Sequence, residues 1–239
     1  MQEKLNVGRV ISRVFQLYGQ QFALLVPAAL IVFLPVAIVD AAITDAQGFS
    51  VGAILLIAIS GAVALVGTFW YQGVVVESVR DSLDGVRDFS LGQLFRSVTP
   101  VIGALILAGI LAGIAIAFGF VLLVVPGLLL LTWWALLAPV IVIERAGVGA
   151  AFGRSRSLVR GNGWAVFAVL VLLIIVGAVV SAIFGVLTVV LGDNPVVDAV
   201  VTLVAQALTA PLDALAASIM YFELKRIRGR GRPGGRDLA

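Results

Sequence analysis

Residues 98–143 read VTPVIGALILAGILAGIAIAFGFVLLVVPGLLLLTWWALLAPVIVI, without a single Lys or Arg. A helix that crosses roughly 30 Å of hydrocarbon needs about 20 apolar residues. This run is therefore too long for one crossing and right for two. Proline ends helices and Pro-Gly marks turns, so Pro126-Gly127 within Val125-Pro126-Gly127-Leu128 is the natural break.

Working outward, four more apolar runs free of Lys and Arg cover Phe22–Ile43, Val51–Val76, Trp164–Leu191 and Val196–Phe222. Together they predict six membrane spans, at about 22–43, 51–76, 100–124, 127–143, 164–191 and 197–222. All sixteen basic residues fall at 4–13, 80–96, 145–160 and 225–236, which are alternate gaps between the spans. The gaps at Thr44–Ser50 and Gly192–Pro195 carry only Asp. Lys and Arg concentrate in cytoplasmic loops, so the chain is expected in a cell (inner or plasma) membrane with both termini cytoplasmic. The expected organisation is a polytopic domain over 1–224 and a disordered basic cytoplasmic tail over 225–239.

The composition agrees. With 62% hydrophobic and 12% charged residues in 239, the chain lies outside the range of soluble domains, and no soluble catalytic domain fits between the spans. The net charge of +3 follows from the orientation rule, so nucleic acid is not an expected partner. The chain has neither Cys nor His. That excludes disulfides, the usual zinc sites and His-dependent nucleophile systems. The expectation is a non-enzyme with no cofactor and no metal. The first run is also longer than the roughly 7–15 residues of a signal-peptide core, so it is expected to be a retained span.

Three basic segments precede spans one, three and five, and each has the spacing of a short amphipathic helix. Their apolar stripes are Val7, Val10, Ile11, Val14 and Tyr18; Leu91, Leu94, Phe95 and Val98; and Val148, Ala151, Phe152, Ser155, Leu158 and Val159. Ser90 and Gln93 have capping-box spacing. All three segments share Gly followed three residues later by Ile or Phe: Gly8/Ile11, Gly92/Phe95 and Gly149/Phe152. The fold class expected is an all-α integral membrane protein of six transmembrane helices in three hairpins, each preceded by a short interfacial amphipathic helix. Such helices lie in the headgroup layer, their arginines near anionic lipid. Small residues at four-residue spacing are expected to form packing seams between spans: Ala104, Ala108 and Ala112 with Gly109 and Gly113; Gly177, Ser181 and Gly185; and Ala210, Ala214 and Ser218.

Few residues point to chemistry. Asp213 lies ten positions before Glu223, hence about 15 Å deeper along a helix, where an aspartate costs about 2.5–3.5 kcal/mol on insertion scales. Gln206 and Thr209 share its helical face, and the three form a candidate intramembrane polar site. At the basic end, Glu144 is expected to pair with Arg154 or Arg160 and so to fix the angle of the third amphipathic helix.

The stretch Val125-Pro126-Gly127-Leu128, Trp134, Ala138-Pro139-Val140, Glu144, Ala150-Ala151-Phe152, Arg154-Ser155 and Leu158 through Trp164 resembles the central signature of the glycerophosphoryl diester phosphodiesterase membrane-domain family. Ala210-Pro211-Leu212 and Tyr221 through Arg228 are similar to that family's last helix and exit. The resemblance implies a six-helix membrane domain without the phosphodiesterase domain that some members carry. Asp213 is not part of the family pattern. Two functional expectations follow. One is a non-catalytic scaffold that binds lipid with anionic headgroups, or a membrane-protein partner, on its cytoplasmic face. The alternative is a transporter or permease-like subunit that uses Asp213.

Overall fold

A computed structural model describes residues 4–44, 51–84, 91–192 and 194–230. Among them every regular element is helical: α1 (Val7–Thr44), α2 (Val51–Asp84), α3 (Leu91–Val98), α4 (Ile102–Leu122), α5 (Val124–Trp133), α6 (Leu137–Glu144), α7 (Val148–Val159), α8 (Gly163–Leu191) and α9 (Pro195–Arg230). A 3₁₀ turn, Thr99–Val101, joins α3 to α4. Six stretches are long and apolar enough to cross a membrane: Val7–Val39, Ile59–Ser82, Gly92–Leu122, Val124–Glu144, Gly163–Leu191 and Pro195–Gly229. The connection expected at 44–50 lies outside the described residues except for Thr44, as does Ser90 of the capping box, whereas of the connection at 192–196 only residue 193 does.

The first expected amphipathic helix is not a separate element. α1 runs unbroken from Val7, and its prolines, Pro27 and Pro35, come only later. The other two are set off by breakers. Pro100 sits in the turn after α3, and Gly161, at φ +91°, ends the segment after α7. Only residues without a Cβ adopt that left-handed region at little cost. At the other end of the chain, α9 continues through Arg230 instead of yielding to a tail at Lys225. The rest of that expected tail lies outside the described residues.

The break in the 98–143 run also moves. Leu123 turns the chain, in an extended conformation at φ −164°, ψ 150°. Pro126 falls in the first turn of α5, where helical amides have no intrahelical acceptor and a missing N–H costs nothing. Pro126 thus starts the second helix; it does not end the first. Gly127 lets the two helices meet, because a Cβ there would strike the Phe120 ring.

Span four is itself interrupted, at Trp134–Leu136 between α5 and α6. Pro139 is the cause: it has no N–H for the carbonyl of Ala135, and its ring crowds that carbonyl. Ser155, fully buried on α7, repairs the ladder. Its hydroxyl donates to the Trp133 carbonyl at 2.7 Å and accepts the Leu136 N–H at 3.3 Å.

The buried core gathers at the basic end of the bundle. Val10 and Val14 of α1, Val74 through Val76 of α2, Val140 through Val142 of α6 and Leu215 of α9 are all almost inaccessible. The opposite ends of α4 and α8 are bare, with Val121 82% and Val189 79% exposed. α1 and α9 share the most extensive helix pairing, so the first and last helices close the bundle. Of the expected seams, Ala214 and Ser218 of α9 are buried, as are Ala108 and Ala112 of α4. The α8 seam is not used among the described residues. Ser181 and Gly185 are exposed, and nothing lies near either Gly177 or Gly185.

Candidate functional site

Three glutamates organise the basic end. Glu144, the last residue of α6, takes a two-pronged grip from Arg154 of α7, Nε to Oε2 at 2.8 Å and a terminal nitrogen to Oε1 at 2.9 Å. The Tyr221 hydroxyl of α9 donates to the same carboxylate at 2.9 Å, and Lys225 donates to that hydroxyl at 3.2 Å. The hydrogen-bonded carboxylate holds the Arg154 guanidinium above its ordinary pKa. Glu223 of α9 binds Arg226 at 2.7 Å and Arg13 of α1 at 3.4 Å. Glu77 of α2 lies 3.6 Å from Arg145 and 3.7 Å from Arg80.

These contacts follow the register of the three amphipathic segments. Counting from Gly8, Gly92 and Gly149, the second residue onward is Val10, Leu94 or Ala151 and the sixth is Val14, Val98 or Ser155. All six are buried. The fifth position is Arg13, Ser97 or Arg154. Arg13 and Arg154 each hold a glutamate that ends another apolar stretch. Where the middle segment has Ser97, Arg145 fills the gap: it donates to the Ser97 carbonyl at 3.3 Å while pairing with Glu77.

Of the two expected partners of Glu144, Arg154 is the one that binds it. Arg160 stands elsewhere, in an open groove of about 720 Å³ that it lines with Arg156 and Arg228 and without any acid. Arg228 donates to the carbonyls of Ser157 and Arg160 at the end of α7, where a cation meets the negative end of the helix dipole. The Arg156 guanidinium lies 4.2 Å from the centre of the Trp133 ring. Trp133 also lines a second groove, of about 650 Å³, whose walls include Val125, Leu128, Leu129 and Phe167. Trp164, 85% exposed, stands at its rim. A cluster of guanidinium groups thus adjoins an apolar trough. No sequence motif marked that junction, because α5, α7, α8 and α9 each contribute part of it.

Asp213, Gln206 and Thr209 do not converge. Thr209 gives its hydroxyl to the Ala205 carbonyl of its own helix at 2.9 Å. Gln206 borders a small pocket with Val36 of α1 and Asp198 of α9. Asp213, itself exposed, lines a different, half-open cavity of about 430 Å³ bordered by α2, α4, α5, α6, α8 and α9. Its polar neighbour there is Gln72 of α2, which sequence reasoning passed over. The signal was present: Gln72 is an amide inside the apolar run 51–76. Among the described residues no ion pair or hydrogen bond reaches the Asp213 carboxylate.

Comparison with known proteins gives one match, to the family described as Domain of unknown function (DUF7847), over residues 86–224. The matched segment takes in most of the helical bundle from α3 to α9, including Glu144, Arg154, Ser155 and Asp213. The chain belongs to that family. No curated protein and no solved structure matches it, and the match carries no link to the glycerophosphoryl diester phosphodiesterase membrane domains.

Proposed function

We propose that this chain is a non-catalytic, multi-pass membrane domain that binds anionic phospholipid on its cytoplasmic face. The carrying observation is the junction of the two grooves. Arg156, Arg160 and Arg228 line one without an acidic neighbour, and the trough beyond Trp133 is walled by Val125, Leu128, Leu129 and Phe167. A phosphate headgroup suits the first and an acyl chain the second. Each basic residue near anionic lipid contributes about 1 kcal/mol.

The bilayer placement is supported by the exposed outer surface. Val121, Val186, Val189 and Val190 are bare to at least 64%, a surface that water disfavours and lipid tails accept. In this reading six spans form three hairpins, with the Glu–Arg ring and both termini at the cytoplasmic side of the cell membrane. The hairpins are copies of one unit. The shared burial register and the glutamates that grip arginines of other units support that descent. Likeness to the glycerophosphoryl diester phosphodiesterase membrane domains, as a scaffold without the enzyme, stays within this proposal. So does a membrane-protein partner on the same basic face.

The test is lipid retention. The purified chain is reconstituted in mixed phosphatidylglycerol and phosphatidylcholine, stripped stepwise with detergent, and examined by native mass spectrometry. Retained phosphatidylglycerol falls on the order of tenfold or more in the Arg156→Gln/Arg160→Gln double variant, from two lost charges of about 1 kcal/mol each. Equal retention by wild type and variant would contradict the reading. The permease-like alternative has one observation in its favour, the Asp213 cavity.

A further inference from the structure

We propose that the cavity around Asp213 binds a lipophilic monocation, a single diffuse positive charge carried on an apolar body. The proposal rests on the site named for the permease-like reading, but it requires binding only and not transport.

The cavity holds about 430 Å³, within the roughly 300–1,000 Å³ of small-molecule sites. Its walls are apolar and aromatic, with Phe69, Leu105, Leu173 and Met220 among them. Asp213 is the one ionisable residue in the lining, and no Lys or Arg stands there to neutralise it. Asp213 is exposed to the cavity, and a carboxylate among apolar walls without a counter-charge is costly, so a ligand that brings one positive charge is favoured and an anion is opposed. Gln72 is the amide residue of the lining. Ala135, in the break between α5 and α6, also lines the cavity, and its carbonyl lacks a helical donor because residue 139 is proline. Irregular backbone at this depth is tolerated where it borders a cavity.

The same lining selects against small hydrated metal ions. Calcium takes about six to eight oxygen ligands and magnesium demands near-octahedral oxygen, whereas this wall is mostly hydrocarbon. A large cation with spread charge loses little hydration on entry and gains apolar contact. Room for it comes from the small-residue face of α4, Ala108, Ala112 and Gly113. At Gly113 a Cβ would meet nothing within 4 Å. This face, expected from sequence to be a seam between helices, is in part the wall of the cavity.

Tetraphenylphosphonium is a suitable probe, with tetraphenylborate as its anionic twin. Equilibrium binding is measured on the full chain in phosphatidylcholine nanodiscs, which keeps the anionic-lipid grooves out of play. The expected result is saturable binding of the phosphonium near one per chain and none of the borate. Asp213→Asn weakens it at least tenfold. Gly113→Phe, which fills the cavity and leaves the carboxylate in place, weakens it as much; this variant decides the matter if Asp213→Asn fails to fold. No binding, equal binding of both ions, or wild-type affinity in a folded Asp213→Asn or Gly113→Phe protein would overturn the proposal. Binding without flux in proteoliposomes supports it while removing the permease-like reading.

Discussion

Replacing Arg154 with Met should loosen the bundle by detaching α7 from α6, and the size of the effect follows from the geometry at Glu144. Two charge-assisted bonds of 2.8 and 2.9 Å join the pair. Fully exposed pairs contribute about 0–1 kcal/mol, and hydrogen bonds to charged groups about 1.5–3 kcal/mol. The Arg154 side chain is 40% exposed and that of Glu144 22%, so solvent screens much of the attraction. We therefore expect a coupling of about 1–2 kcal/mol, above an isolated surface pair because the grip is two-pronged. Glu144→Gln should cost a similar amount, since its amide oxygen still accepts from Tyr221. The double variant should be little worse than either single one. Arg160→Met serves as the control: its side chain does not meet Glu144, and surface changes of that kind stay within about 0.5 kcal/mol. The assay is a double-mutant cycle from denaturant or SDS titration in mixed micelles, followed by fluorescence of the four tryptophans. The reasoning fails if the coupling is indistinguishable from zero, or if Arg160→Met costs as much as Arg154→Met.

Two further outcomes follow from the same packing. Ser155→Ala leaves the Trp133 carbonyl and the Leu136 N–H without their shared partner, and at about 1–3 kcal/mol for each orphaned group it should be among the most damaging single-atom deletions in the chain. The micelle titration checks this, and a neutral result would mean that the helix break heals without the serine. Gly109→Ala places a methyl group against the Phe69 ring and should destabilise by about 1–3 kcal/mol through overpacking. Adding Phe69→Leu should restore most of that loss, and the absence of rescue would point to a different strain.

Apolar run length made the six long helices legible, because the hydrocarbon requirement leaves so few solutions for a chain this poor in charge. The amphipathic stripes were legible too: positions separated by four residues lie on one face, and Val10 with Val14 and Leu94 with Val98 are buried accordingly. Local breakers were harder to read. Pro126 reads as a terminator, but a proline is equally at home in a helix's first turn, and it is Pro139 that interrupts span four. The fusion of the first amphipathic segment with span one follows from the lack of a proline between Val7 and Val26. Sharing a helical face was not enough to bring Gln206 and Asp213 to one site. Seven residues separate them by about 10 Å along the axis, and α9 meets different neighbours at the two heights. Glu144 with Arg154 was within reach, since both lie at the ends of short adjacent elements. The basic groove was not, because its members come from segments far apart in sequence.

The chain contains no cysteine, so single-cysteine variants can be labelled without background, and topology tests the account most directly. Gln47→Cys, Gly147→Cys, Asn194→Cys and Gly229→Cys are each exposed to a membrane-impermeant maleimide, first in intact cells and then after permeabilisation. Positions 47 and 194 should react in intact cells, and positions 147 and 229 only once the membrane is opened. Labelling of 147 or 229 from outside, or protection of 194 until permeabilisation, would contradict an arrangement in which every cationic helix end faces inward.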